Sequence, residues 1–281
     1  SKKILLANKE SIVCGWSLIK KEAIKYKTKL IPIDSEHFSI SELTKNISND
    51  EIEKIYITAS GGPFLNLNKN KFKDIKPKDA IKHPKWKMGK KISVDSATLM
   101  NKVLELTEAV KLFSFDSDKY EIVIHPQSLI HAIVKLKNGI TYFLYHVPDM
   151  KIPISNALLE GKFDYSKYFK DKNLNNLSNQ NLEFLPVDKK KFTTLNLIHE
   201  MNSTESAPII INAANEIFVD EFLKNNIHFN DIFAYLKLVL KDKSYKKTSN
   251  MLSNSVENIY KIDSWSRSLA YNIIKKKKIK C

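Results

Sequence analysis

A chain of 281 residues, 43% hydrophobic and 27% charged, is long enough to bury about two domains and lies far from disordered or fibrous compositions. No run approaches the roughly twenty apolar residues of a membrane span, and the opening SKKILLANKE lacks a signal-peptide core, so a soluble protein is expected. The net charge of +15 invites a nucleic-acid partner, but Arg267 is the only arginine; lysine lacks the rigid fork that reads bases and phosphates, and abundant Lys, Asn and Ile are what A+T-rich codons place on solvated faces.

The cysteines, Cys14 and Cys281, lie too far apart in sequence for the framework of a small secreted domain, which fits a reducing, cytoplasmic setting. Ser1 stands where a methionine would start a chain, so a transit peptide of the plastid type upstream stays open.

In chain order, the apolar run at residues 4–6 predicts a strand and residues 11–25 a helix, one unit of an α/β domain. Residues 30–33 predict a second strand running into Asp34-Ser35-Glu36-His37, and residues 55–59 a third running into Ser60-Gly61-Gly62-Pro63. Polar or glycine-rich turns after strands are where open α/β sheets place ligands. From Glu121 onward EIVIH, HAIVKL and TYFLY read as strands, the last two joined across Asn138-Gly139 as a hairpin. Residues 163–192, rich in Lys, Asn and Asp, read as a linker. Helical periodicity over 194–202, 207–224, 228–241 and 256–277 predicts a small C-terminal helical bundle, with the closing KKKKIK a solvated helix end. The expected fold is therefore an α/β catalytic domain with a β-sheet and flanking helices, followed by that bundle.

Chemistry concentrates between residues 34 and 127. Asp34 and Glu36 are two apart at a strand end, so continued extension would put both carboxylates on one face, half of a hard-cation site. In SATLMNKVLELTEAVKLF the residues Leu99, Val103, Leu106, Val110 and Phe113 trace one helical stripe, leaving Thr98, Asn101, Glu105 and Glu108 on the opposite side. Taken alone, that side is a solvated face, Asp34 and Glu36 a polar loop, and His83 a structural histidine.

The wording of the chain argues for more. It reads ANKES at 7–11, DSEH at 34–37, SGGPF at 60–64, HPKWKMGKKISVDSATLMNK at 83–102 and IHPQSLIH at 124–131, then PDM at 148–150, NAANE at 212–216 and IDSWSRSLA at 262–270. In this order and spacing the words resemble the 1-deoxy-D-xylulose 5-phosphate reductoisomerase family, whose members are NADPH-dependent and metal-dependent enzymes of non-mevalonate isoprenoid synthesis.

The resemblance implies a remnant of a dinucleotide-binding domain at 1–33, a catalytic domain at 34–162, a linker at 163–193 and a helical domain at 194–281. It implies that Asp34, Glu36 and Glu105 hold a manganese or magnesium ion, an oxygen-only set suited to hard ions. It assigns Ser60, Ser96, Asn101 and Lys102 to the substrate phosphate. Lys9, Ser35 and His83 go to the rest of the substrate, alongside Glu36 and Glu105. Trp86 and Met88 fall in a flap, HPKWKMG, that closes over the ligand, and Asn8, Glu10 and Gly89 match contacts to the nicotinamide cofactor. The implied reaction is rearrangement of 1-deoxy-D-xylulose 5-phosphate and reduction by NADPH to 2-C-methyl-D-erythritol 4-phosphate, by a homodimer. No residue identifies itself as a general acid or base.

Three departures stand out. No GxGxxG turn for a dinucleotide pyrophosphate occurs in the chain. Val103 follows Asn-Lys where the family word has glycine, and bulky TYFLY precedes PDM. Two classes of function follow: an oxidoreductase whose cofactor half is missing from this chain, and a relative that binds metal and sugar phosphate without turnover.

Overall fold

The structure is a computed structural model and describes residues 1–86, 88–162, 164–168 and 181–279. The chain divides into two compact units: Ser1–Lys9, Glu22–Ser60 and Leu112–Val187 form the first; Glu10–Lys21, Gly61–Lys111 and Asp188–Cys281 form the second.

The first unit holds the strands. β1 (Lys3–Leu6) precedes helix α1 (Lys9–Lys25), and pairs in parallel with β2 (Lys29–Pro32) in the register Lys3 to Lys29 through Leu6 to Pro32. After β2 comes α2 (Ser35–Thr44), then β3 (Ile52–Ala59). β3 lies inside a four-stranded sheet of order β4-β3-β5-β6, parallel to β4 (Tyr120–Ile124) and antiparallel to β5 (Ile130–Leu136), which pairs antiparallel with β6 (Thr141–Tyr145). Ile52, Ile55, Ile57 and Ala59 of β3 are buried, as the central strand of a covered sheet requires. α2 packs against β5, β6 and β2. The β5–β6 hairpin turns at Gly139, whose φ of +89° suits glycine, and Asn138 Oδ1 accepts the Ile140 N–H at 3.0 Å.

Two short helices complete the first unit, α6 (Lys151–Leu159) and α7 (Tyr165–Tyr168). Of the segment read as a linker, residues 163 and 169–180 lie outside the described residues. Its later part is tied to β4: Leu185 and Ile124 exchange backbone hydrogen bonds at 2.9 and 3.0 Å.

The second unit is helical. Its elements are most of α1, then α3 (Pro77–Ala80), α4 (Lys90–Thr98) and α5 (Met100–Leu112), followed by α8 (Ile198–Met201), α9 (Ala207–Leu223), α10 (Phe229–Leu240), α11 (Tyr245–Ser249) and α12 (Val256–Lys278). α9 carries apolar residues on nearly every side and is accordingly buried against α12, α10 and α4. An aromatic cluster anchors the segment before α3 to these helices, with Phe229 edge-on to Phe64, Phe72 and Phe222 at centroid distances of 5.4, 5.7 and 5.6 Å. Burying each such ring contributes roughly 1.5–3 kcal/mol. No helix among the described residues is long and apolar enough to cross a membrane.

Three local expectations are corrected. The chain does not stay extended through Asp34-Ser35-Glu36: the turn at Asp34 passes directly into α2, whose first turn favours the charge of Glu36 through the helix dipole. The helix expected across residues 96–113 is broken at Leu99, which adopts a left-handed conformation with φ of 61°. Leu99 is buried, so its packing outweighs the strain of that backbone. The polar face of α5 is not solvated either; Glu105 and Glu108 are each 1% exposed.

Gly62 marks the closest approach to α4. It has a φ of +64°, and a Cβ there would lie 2.8 Å from the Ser96 carbonyl oxygen. Gly62→Ala therefore combines left-handed strain with a backbone clash, and thermal melting is expected to show a loss of about 1–3 kcal/mol, whereas an unchanged melting temperature would contradict this packing.

Candidate functional site

In the first unit the candidate residues gather at the ends of β1, β2 and β3. Lys9 opens α1 and is buried, and its Nζ lies 2.9 Å from Asp34 Oδ2. Burial alone would raise the Asp34 carboxyl, but the ammonium of Lys9, then His37, outweigh it and hold the group well below the usual carboxylate range. Asp34 is thus an anion under all ordinary conditions. Ser35 Oγ donates to Glu36 Oε2 at 2.6 Å, and both side chains are buried. Ser60 sits just beyond β3, and Asn8 is exposed between β1 and α1.

In the second unit the break at Leu99 does the positioning. It ends α4 just after Ser96 and starts α5 just before Asn101 and Lys102, so the two short words Asp-Ser and Asn-Lys flank one bend. The bend is held by Thr194, whose Oγ1 donates to the Thr98 carbonyl, and by Thr98 Oγ1, which accepts the Met100 N–H at 3.2 Å. A hydroxyl, an amide and an ammonium beside one bend are the parts of an anion cradle. One turn on, Glu105 accepts from Asn101 Nδ2 and is ion-paired with Lys102 Nζ, both charges being nearly closed to solvent.

His83 lies on the loop before α4. Its Nδ1 accepts the backbone N–H groups of Lys85 at 3.1 Å and Trp86 at 2.9 Å, which fixes the neutral tautomer with the proton on Nε2. Burial, then the nearby Lys102 ammonium, lowers its pKa to about 4, and protonating Nδ1 would also cost those two bonds. His83 is therefore a neutral donor through Nε2 at neutral pH. The same turn sets the course of the HPKWKMG word; Trp86 and Met88 are half-buried, and Lys87 lies outside the described residues. Gly89 is the N-cap position of α4.

Glu10, in the first turn of α1, pairs with Lys91 of α4 at 2.7 Å, and Lys91 also pairs with Asp95 at 2.9 Å. The sequence reading passed over Lys91 and Asp95, although both stand inside its longest word. Nothing in their spacing separates them from surface charges on a helix, and only the burial of Asp95 does so.

The arrangement thus groups Lys9 with Asp34 and Ser35 with Glu36 in one unit. In the other it groups Asn101, Lys102 and Glu105, His83 with Trp86, and Glu10 with Lys91. The carboxylates offer hard oxygen ligands of the kind a divalent cation takes, and the hydroxyls, amide and ammonium groups offer hydrogen bonds of the kind a phosphate accepts.

Comparison with known proteins identifies the family of the chain. Residues 30–113 match the family profile described as 1-deoxy-D-xylulose 5-phosphate reductoisomerase C-terminal domain, and residues 146–269 match a second, described as DXP reductoisomerase C-terminal domain. The 1-deoxy-D-xylulose 5-phosphate reductoisomerase of Pelagibacter ubique (strain HTCC1062) is 44% identical over 266 residues, covering 94% of this chain and 68% of that protein. That of Wolbachia sp. subsp. Brugia malayi (strain TRS) is 42% identical over 281 residues, covering 99% of this chain and 69% of that protein. Among solved structures, DOX-P reductoisomerase in complex with NADPH, fosmidomycin and magnesium superimposes with a TM-score of 0.91 at 36% identity, over 98% of this chain and 71% of that one. The Zymomonas mobilis enzyme in complex with NADPH gives 0.81 at 33% identity, over 97% and 69%. With two family profiles matched and identity above 40% along nearly its whole length, the chain belongs to the 1-deoxy-D-xylulose 5-phosphate reductoisomerase family.

Proposed function

We propose that this chain carries the metal-binding and substrate-binding half of an NADPH-dependent reductoisomerase that converts 1-deoxy-D-xylulose 5-phosphate to 2-C-methyl-D-erythritol 4-phosphate. The observation that carries the reading is the set of buried or half-buried carboxylates on the family's words, each engaged by a neighbour: Asp34 by Lys9, Glu36 by Ser35, and Glu105 by Asn101 and Lys102.

These residues fit a divalent ion. Asp34, Glu36 and Glu105 supply only oxygen donors, the set that magnesium or manganese takes, and no candidate thiolate accompanies them. When bound, the ion acts as a Lewis acid toward the oxygens of the ketose phosphate. The protein's own part is placement. Ser96, Asn101 and Lys102, with Ser60, receive the phosphate; Lys9 and Ser35 meet the sugar's hydroxyls; and His83, held neutral by its Nδ1 bonds, donates from Nε2. Trp86 shields the site from water, which protects a reactive aldehyde. Asn8, Glu10 and Gly89 receive the nicotinamide end of NADPH.

The relatives are longer than this chain, which spans 68–71% of them, and the chain has no GxGxxG turn to seat a pyrophosphate. Turnover accordingly needs a nucleotide-binding half besides these residues. NADPH oxidation with 1-deoxy-D-xylulose 5-phosphate and manganese is expected for the chain extended upstream by a relative's cofactor-binding half. The 281 residues alone should be at least about a hundredfold slower, because the nicotinamide is not held at attack distance. Rapid oxidation by the shorter chain, or none by the extended one, would refute the assignment.

The protein is also proposed to be a homodimer. β6 is an edge strand, and Ile140, Tyr142 and Phe143 on and beside it are exposed. An apolar edge strand left in water invites pairing, and a second copy is the partner that covers it symmetrically. Light scattering should give twice the chain mass, falling to the monomer for Phe143→Lys; a monomeric wild type would contradict the proposal.

A further inference from the structure

We propose that Asn215 is a positioning residue that acts through Asp95 and Lys91 to fix the Glu10 carboxylate toward the carboxamide of the nicotinamide ring, an inference that rests on Glu10 being a cofactor contact. The four residues form one chain of bonds within the second unit. Asn215 of α9 donates from Nδ2 to Asp95 Oδ1 at 2.8 Å. Asp95 Oδ2 lies 2.9 Å from Lys91 Nζ, one turn earlier on α4. Lys91 Nζ donates to Glu10 Oε1 at 2.7 Å, in the first turn of α1.

Asn215 is fully buried and its Oδ1 has no partner among the described residues. A buried amide with half of its capacity unmet is costly, and a leucine of similar size would pack α9 against α4 without that cost. What the amide supplies and leucine would not is a charge-assisted bond to a buried carboxylate. Asp95, in turn, has no use for burial except through its two partners, since an isolated interior carboxylate is far more costly still.

Lys91 then has both carboxylates on its ammonium. Burial pulls its pKa down, but Asp95, then Glu10, outweigh that and raise it, so the charge is permanent. With Asp95 anchored from α9, the ammonium cannot follow Glu10; Glu10 must come to it. A glutamate on a first helical turn otherwise samples several rotamers, and holding one in advance spares that entropy when a ligand binds. The pair with Lys91 does not exhaust a carboxylate, which offers about four lone-pair directions, and the amide N–H groups of a carboxamide are matching donors. The relay thus links the NAANE word of the helical bundle to the cofactor end of the site.

The test uses the 281-residue chain and reduced nicotinamide mononucleotide, a probe that needs no pyrophosphate site, titrated by its fluorescence. Asn215→Leu and Lys91→Met should each weaken it about tenfold, and the double variant should be no weaker than Lys91→Met within about twofold, because both act through one chain. A phosphonate hydroxamate titrated with manganese should bind all variants within about twofold of wild type. Additive losses, or equal losses of phosphonate affinity, would overturn the relay in favour of general damage to the fold. Acylation of lysines read by mass spectrometry gives an independent check: Lys91 should react faster in Asn215→Leu, and unchanged reactivity would also overturn the relay. Faster reaction of Lys91 combined with wild-type probe affinity in Glu10→Gln would instead leave the bonds standing and overturn the cofactor reading of Glu10.

Discussion

Buried negative charge governs the architecture of both units. Asp34, Glu36, Asp95 and Glu105 are carboxylates removed wholly or largely from water, and an interior carboxylate is tolerated only when cations and donors surround it. Lys9, Lys91 and Lys102 meet that demand for three of them, with Asn101, Asn215 and Ser35 supplying neutral donors. Hydrophobic replacements of the same size would pack at less cost, so charge at these positions points to a ligand that needs it. A divalent ion and a phosphate need charge of both signs, and each unit provides both.

The backbone is shaped to bring these groups to helix ends. α2 starts immediately after Asp34, so Glu36 enters on a first turn where the helix dipole favours it. The left-handed Leu99 splits what would be one long helix, and the split sets Ser96 at the end of α4 against Asn101 and Lys102 at the start of α5. Gly62 lets a glycine turn approach the Ser96 carbonyl more closely than any side chain would allow. Strain at Leu99 and closeness at Gly62 are stored in a region pinned by Thr194 and by the aromatic cluster around Phe229.

Much of this was legible in the sequence. Apolar runs ending in polar words located β2, β3 and the sheet strands, and periodicity located α9, α10 and α12, because both signals are local. Asp34 and Glu36 are read from the sequence as half of a cation site on an extended backbone; the backbone is helical instead, since a two-residue spacing does not say whether a helix begins between them. Glu105 looked solvated because an amphipathic stripe reports one buried face of a helix and is silent on whether the rest of the protein covers the other. Leu99 gave no warning of its left-handed backbone, as leucine carries none of the signals of glycine or asparagine. Asp95 and Asn215 were read only as letters in family words; their bond spans 120 positions and no local pattern reveals it.

The central claim is that the acidic groups of this chain form a cation site and are not merely internal salt bridges. Titration calorimetry with manganese on the wild type and on Glu105→Gln tests it most directly. Glutamine keeps the volume and the Asn101 contact but removes the anionic ligand. The account predicts one ion per chain for the wild type and an affinity at least about tenfold weaker for the variant. Equal affinities, or no binding by either, would contradict it.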